Sequence, residues 1–175
     1  MRVATLTLSD TRSPDDDEGG RRLGELLRGA GFEVASHAIV REEPEQLRAQ
    51  IERICAERAA DAIVATGGTG VAPRDRTIET LAPMFDKMLD GFGEAFRRLS
   101  WDQIGPRAIL SRATAGVVHG VVVVALPGSP KAIDLAVERL IAPILEHAVA
   151  LASGAGGHHH HHHHDDHGRG PKERA

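Results

Sequence analysis

Short apolar runs alternate along this chain with longer stretches in which leucine and isoleucine recur every three or four positions. The runs Val3 to Leu8, Phe32 to Val40, Ala62 to Thr66, Ala108 to Leu110 and Val121 to Leu126 are β-prone and bounded by polar or turn residues, so they predict strands. Between them, Gly19 to Gly29 places Leu23, Leu26 and Leu27 at helical spacing, and Pro44 to Ala60 does the same with Leu47, Ile51, Ile54 and Cys55. Pro130 to Leu151 predicts a last helix, with Ser129 as N-cap, Pro130 at the first helical position and Gly154 as its stop. Between Asp75 and Ala108 the pattern is denser. Ile78 to Met88 and Gly91 to Leu99 read as helices and Trp101 to Gly105 as a short turn or helix, an insertion suited to a lid or an oligomer contact. Strands alternating with crossover helices predict an α/β fold, a three-layer αβα sandwich with a mostly parallel central sheet.

The pattern stops near residue 153. Residues 1–153 read as one domain, for which 175 residues with 41% apolar content leave room for a substantial core. From Gly154 the composition turns to glycine, a run of seven histidines from His158 to His164, and a polar end. Residues 154–175 cannot bury a core and are expected to be a disordered His-rich tail, native or a purification tag, able to bind nickel or zinc only loosely. The single cysteine, Cys55, excludes an intramolecular disulfide and reads as helix packing. No stretch approaches the length of a membrane span, and the N-terminal apolar run is too short for a signal sequence, so a cytoplasmic protein without a membrane partner is expected. A net charge of −4, with no tyrosine and one tryptophan, argues against a nucleic-acid partner. It leaves room for a compact anion held by a few arginines.

The richest chemistry follows the third predicted strand. Thr66-Gly67-Gly68-Thr69-Gly70 delivers three glycines and two threonines to a strand's carboxyl end. Without Cβ atoms the backbone N–H groups can close around phosphate oxygens, and the threonine hydroxyls add donors. Five residues on, Asp75 lies between Arg74 and Arg76, an arrangement that favours its ionised form and supplies a cation ligand beside two phosphate partners. In a parallel sheet, Ser9-Asp10-Thr11-Arg12 after the first strand and Pro127-Gly128-Ser129-Pro130 after the last would emerge at the same edge, where ligands of open α/β sheets collect. Each has a plainer reading: Ser9-Asp10 as a turn cap, Ser129 as an N-cap, and Asp75 as the N-cap of a helix starting near Thr77. The glycine loop is harder to reduce in this way.

Other nucleotide motifs fail. A P-loop would need Gly-Lys-Ser or Gly-Lys-Thr where Pro73 stands, and Gly68-Thr69-Gly70 does not continue to a third dinucleotide glycine. There is no Gly-x-Ser-x-Gly elbow, and outside the tail His37, His119 and His147 fall in unrelated segments.

The glycine loop with Arg74-Asp75, the segment Gly91-Phe92-Gly93-Glu94 continuing to Arg97 and Leu99-Ser100, then Leu110-Ser111-Arg112, and finally Leu126-Pro127-Gly128-Ser129-Pro130-Lys131 together resemble the MoaB/MogA family of molybdenum-cofactor biosynthesis proteins. The resemblance runs from Val3 to about Leu151, and the phrase from Gly91 to Ser100 is similar to the MoaB branch. It implies Mg2+-dependent transfer of the AMP part of ATP to the terminal phosphate of molybdopterin, with release of pyrophosphate. Such a reaction suits a histidine-poor site, because the attacking phosphate is already anionic and the protein need only position it and neutralise charge. On this match Asp75 would hold the magnesium, Thr66, Gly67, Gly68, Thr69, Gly70 and Arg74 would surround phosphates, and Ser9 and Asp10 would line the same pocket. Ser111, Arg112, Pro127, Gly128 and Ser129 would serve the pterin phosphate side. Active members carry an aspartate shortly after the second strand, where this chain has Glu42, which would take the catalytic place with a longer reach. The implied partners are molybdopterin, ATP and other proteins of the pathway, with further copies of the chain in a homotrimer or homohexamer. The competing readings are a molybdopterin-binding scaffold of the same fold with weak turnover, and an unrelated nucleotide-binding regulator.

Overall fold

A computed structural model describes residues 1–154. The expected His-rich tail therefore lies outside the described residues, apart from Gly154. Four strands form a parallel core: β1 (Arg2–Leu8), β2 (Glu33–Val40), β3 (Ala62–Thr66) and, at the end of the sheet-forming region, Val121–Leu126. Two antiparallel strands extend it, β4 (Lys87–Met88) and β5 (Thr114–Val118), which makes Val121–Leu126 β6 and gives the order β2-β1-β3-β6-β5-β4. Helices α1 (Glu18–Gly29), α2 (Pro44–Glu57), α3 (Thr77–Leu81), α4 (Asp90–Ile104), α5 (Pro130–Ala136) and α6 (Ala142–Ala152) cover both faces. This is the expected three-layer α/β sandwich. None of the described helices is long and apolar enough to cross a membrane.

The period-two alternation of the central strands divides the core. Ala4, Leu6, Leu8, Ile63, Ala65, Val123 and Ala125 pack beneath Leu47, Ile51 and Ile54 of α2 and Leu81 of α3. Their neighbours Val3, Ala62, Val64, Val122, Val124 and Leu126 pack on the opposite face against Leu23 and Leu27 of α1, Phe92 and Phe96 of α4, and Ile133 of α5. Side chains pointing to opposite faces of each strand thus serve two separate apolar layers.

Three expectations are corrected. Ala108 to Leu110 is not a strand but part of a 3-10 turn, Gly105–Leu110, in which Ala108 is buried while Ile109 and Leu110 are 67% and 56% exposed. Pro106 opens that turn, and a three-residue apolar run carries no period with which to tell a strand from a turn. The strand lies later, in Thr114–Val118, whose glycine masks it: a Cβ on Gly116 would sit 2.4 Å from the Phe85 ring, so the ring packs where a side chain would have been. The helix expected over Ile78 to Met88 ends at Leu81. Pro83 cannot continue the α-helical hydrogen bonding, a 3-10 turn follows at Ala82–Met84, and Lys87–Met88 pairs with Val117 and Gly116. The expected last helix is helical throughout but contains a π turn at Val137–Ile141, just ahead of Pro143, whose missing N–H interrupts the α ladder.

Candidate functional site

At the carboxyl ends of β3 and β6 the backbone forms a cavity of about 380 Å³. The loop after β3 makes one wall, with Gly68, Thr69, Gly70 and Asp75, and the loop after β6 makes the next, with Pro127, Gly128 and Ser129. The two loops are tied together: the Thr66 hydroxyl donates to the Pro127 carbonyl at 3.1 Å, and the Gly67 N–H to the Leu126 carbonyl at 3.0 Å. Ser129 stands at the N-cap position of α5, yet its side chain makes no capping bond, and it faces the cavity instead.

The three glycines of the loop differ in their reasons. Gly67 has φ +104° and its Cβ would lie 2.4 Å from the Leu8 carbonyl oxygen, while Gly68 has φ +61° and a Cβ there would lie 2.4 Å from the Thr77 hydroxyl. These two let the chain turn back tightly between β1 and α3, where Thr77 closes the turn through its N–H to Gly68 O (3.0 Å) and its hydroxyl to Gly67 O (3.0 Å). Gly70 serves Asp75 directly: a Cβ would lie 2.6 Å from Asp75 Oδ2. Asp75 is fixed by a reciprocal turn in which its Oδ2 accepts the Ala72 N–H at 2.8 Å and its own N–H donates to Ala72 O at 2.9 Å. It does not cap a helix, since α3 starts at Thr77 with Arg76 in the cap position.

Arg74 and Arg112 do not line the cavity. The Arg74 guanidinium is taken by Asp10, with Glu43 at 3.4 Å. Arg112 clasps the glycine loop from outside, donating to Gly70 O (2.8 Å), Asp75 O (3.1 Å) and the Glu79 carboxylate, whose pKa it holds below the usual range. Both arginines hold the loop's shape. Ser111 does line the cavity.

Glu42 sits behind the loop. Its carboxyl carbon would be 3.8 Å from a Cβ on Gly68, and its N–H donates to Asp10 Oδ1 at 3.2 Å. Burial, followed by the charges of Asp10 and Asp75, pushes its pKa up. Ser9 and Asp10 border a different depression, further along the sheet edge, so the three loops share one edge but not one cavity.

Four polar residues of the cavity carry no site role in the sequence reading, Ser100, Gln103, Arg107 and Lys131, although Ser100 and Lys131 stand within its matched motifs. Ser100 had a legible signal, a serine continuing the stripe Phe92, Phe96 at spacing of four on the buried side of α4, where it is 4% exposed. Arg107 and Lys131 are cations that, among the described residues, pair with no carboxylate. Phe96, Ile104, Leu110 and Leu135 supply apolar wall. The expected insertion between Asp75 and Ala108 thus contributes one side of the site through α4.

The cavity pairs amides and one fixed carboxylate on one side with two free cations and an apolar wall on the other, a combination suited to an anionic ligand with a ring system. Comparison with known proteins gives that ligand class a family. Residues 4–147 match the family described as a probable molybdopterin binding domain. The chain is 43% identical over 150 residues to the molybdenum cofactor biosynthesis protein B of Bacillus subtilis (strain 168), the match covering 85% of this chain and 88% of the relative. A crystal structure of a molybdenum cofactor biosynthesis protein B is similar with a TM-score of 0.83 at 39% identity, over 86% of this chain and 94% of that one. The tungsten cofactor synthesizing protein MoaB from Pyrococcus furiosus gives 0.75 at 35% identity, over 87% and 96%. With its domain matched almost end to end by the family and by relatives of about 40% identity, this chain belongs to the MoaB/MogA family of molybdenum-cofactor biosynthesis proteins.

Proposed function

We propose that the protein acts in molybdenum-cofactor biosynthesis by joining the terminal phosphate of molybdopterin to the adenylyl group of Mg-ATP, releasing pyrophosphate. The observation that carries this reading is the placement of Asp75. Its carboxylate is locked by the Ala72 N–H at the rim of a cavity whose far side holds Arg107 and Lys131, which among the described residues pair with no carboxylate. The chemistry asked of the protein is modest. Two anionic partners must be brought together, which the cations and main-chain N–H groups favour by offsetting their charge and by fixing their separation.

Asp75 is the residue that would hold Mg2+. Among the described residues no group of three or more histidine, cysteine or acidic side chains converges on a metal position. Magnesium keeps several waters and takes one or two carboxylates together with substrate phosphates, a role open to the single carboxylate of Asp75. The pKa of Glu42 is raised first by burial and then by the charges of Asp10 and Asp75, so a second carboxylate lies near Asp75. When bound, the ion supplies charge neutralisation on the phosphates. The residues of the chain position the two substrates, Arg112 keeps the loop closed, and α4 shields one side from water.

The scaffold reading has one observation in its favour: Glu42, which the family resemblance sets in the place of a catalytic aspartate, lies behind the loop instead of lining the cavity. The two readings part in one assay. Pyrophosphate release that requires molybdopterin, ATP and magnesium together supports the transferase, whereas molybdopterin binding with no release under the same conditions supports the scaffold.

A further inference from the structure

Two buried hydroxyls stand on helices of this domain and are treated differently. Thr80 of α3, 2% exposed, turns back on its own helix and donates to Arg76 O at 2.8 Å, a common way for a helical hydroxyl to be satisfied. Ser100 of α4, 4% exposed, does not. Among the described residues its hydroxyl has no hydrogen-bond partner, on its own helix or elsewhere. Thr7 Oγ1 is the one side-chain atom among the described residues that is both sealed off and unpartnered, so the Ser100 oxygen, unpartnered too, opens onto the space that Ser100 lines, the cavity at the glycine loop. A buried hydroxyl in this state is costly unless something in the cavity bonds it.

The surroundings of Ser100 say what that partner is. Phe96 lies one turn before it on α4 and Ile104 one turn after, and both line the same cavity, so the hydroxyl interrupts an apolar strip. Gln103, three positions on, adds a carboxamide to the cavity wall, and among the described residues that group is unpartnered as well. A hydroxyl donates or accepts, and a carboxamide does both at once. Set in an apolar wall, the pair fits the edge of a flat heterocycle whose faces pack on carbon and whose nitrogen and oxygen atoms need partners.

We propose that Ser100 and Gln103 are specificity-determining residues that hydrogen-bond the polar edge of the ligand's ring system, and that the ring they read is the pterin, whose edge sets an amino group, a ring nitrogen and a carbonyl side by side. The proposal rests on the transferase reading for the identity of the ligand and adds the residues that select its ring. The adenine edge offers related donors and acceptors. The pterin is favoured because Ser111 and Ser129, which the family resemblance sets on the pterin phosphate side, line this cavity together with Ser100, whereas Ser9 and Asp10 border the other depression. A site that hydrogen-bonds the polar atoms of its substrate rejects analogues that lack them, because its own buried groups are then left unpaired.

Calorimetric titration of the full-length protein with neopterin monophosphate, a pterin bearing a phosphate ester, and in parallel with AMP tests it. The wild type should bind the pterin, and Ser100→Ala and Gln103→Met should each bind it about tenfold more weakly while their affinity for AMP stays the same. Gln103 is exposed, so its variant is expected to fold whatever happens at Ser100. The melting temperature of ligand-free Ser100→Ala separates a ligand role from a structural one: a hydroxyl that bonds no protein group can be removed with no loss, so the value should equal or exceed that of the wild type. A lowered melting temperature would place the hydroxyl in the fold's own bonding and overturn its role. Pterin binding as tight in both variants as in the wild type, or weakening confined to AMP, overturns the proposal and leaves the transferase reading standing. A wild type that binds no pterin phosphate also overturns it, and pyrophosphate release from molybdopterin and ATP then decides the transferase reading by itself.

Discussion

The loop after β3 and the loop after β1 leave adjacent parallel strands at the same edge of the sheet, yet they are held in opposite ways. The β3 loop is held by backbone: two glycines in left-handed conformations, carbonyls accepting from Thr77 and Arg112, and a third glycine making room for Asp75. The β1 loop is held by side chains, through the Asp17, His37 and Thr5 contacts and the Ser9 turn. The consequence is a difference in what each exposes. The first presents main-chain amides and one fixed carboxylate to a narrow cavity, and the second presents arginines to a wider one. Replacing a single atom should therefore matter most in the first, whereas charge should matter most in the second.

Gly67→Ala should show the largest effect on stability. It puts a Cβ 2.4 Å from the Leu8 carbonyl at a positive φ, combining strain and overpacking, and should lower unfolding stability by about 3 kcal/mol in denaturant titration. An unchanged unfolding midpoint would mean that the turn is looser than described. Gly70→Ala should separate activity from stability. Its conflict is with the Asp75 carboxylate, which can swing aside, so the expected outcome is about a tenfold loss of turnover with a melting temperature close to wild type. Arg112→Lys keeps the charge but not the fork that holds Gly70 O, Asp75 O and Glu79 together, and a several-fold fall in kcat with little change in KM is expected in steady-state assays.

The smallest effect belongs to the β1 loop. Burial pushes the Asp17 carboxyl up, but the Gly20 N–H and His37 more than offset it, and its pKa lies below the ordinary value. A depressed folded-state pKa contributes stability above the unfolded value of about 4 that is lost as pH falls through the folded one. Asp17→Asn keeps a capping oxygen, so it should cost about 1 kcal/mol at neutral pH while flattening the acid limb of stability below about pH 4. Unfolding curves between pH 2 and 7 check this, and an unaltered acid limb would remove Asp17 from the account.

Much of this was legible in the residue order, for reasons that differ from element to element. Three of the parallel strands, β1, β3 and β6, announce themselves because burial on both faces requires uninterrupted β-branched and aliphatic runs such as Val121 to Leu126, whereas the edge strand β2 is largely exposed. β5 escapes because its packing is done from outside, by the Phe85 ring over Gly116, so the strand itself looks weak. Gly68, Thr69, Gly70 and Asp75 were visible as a dense local motif, and the structure brings them to one cavity. Arg74 and Arg112 carry charges that local sequence cannot aim; the ion pairs that turn them outward join residues more than 30 positions apart. Arg107 and Lys131 lie in segments whose relation to the glycine loop exists only once α4 and α5 have packed together.

The central claim is that the carboxylate of Asp75, seated against Gly70, is what makes the cavity a transferase site. Its most direct test is pyrophosphate release by purified Asp75→Ala protein supplied with molybdopterin, ATP and magnesium, alongside circular dichroism to confirm the fold. A loss of ~10²–10³ in rate with an unchanged spectrum is predicted, the scale expected when a charge-stabilising group is removed from such a site. Release at the wild-type rate would contradict the account.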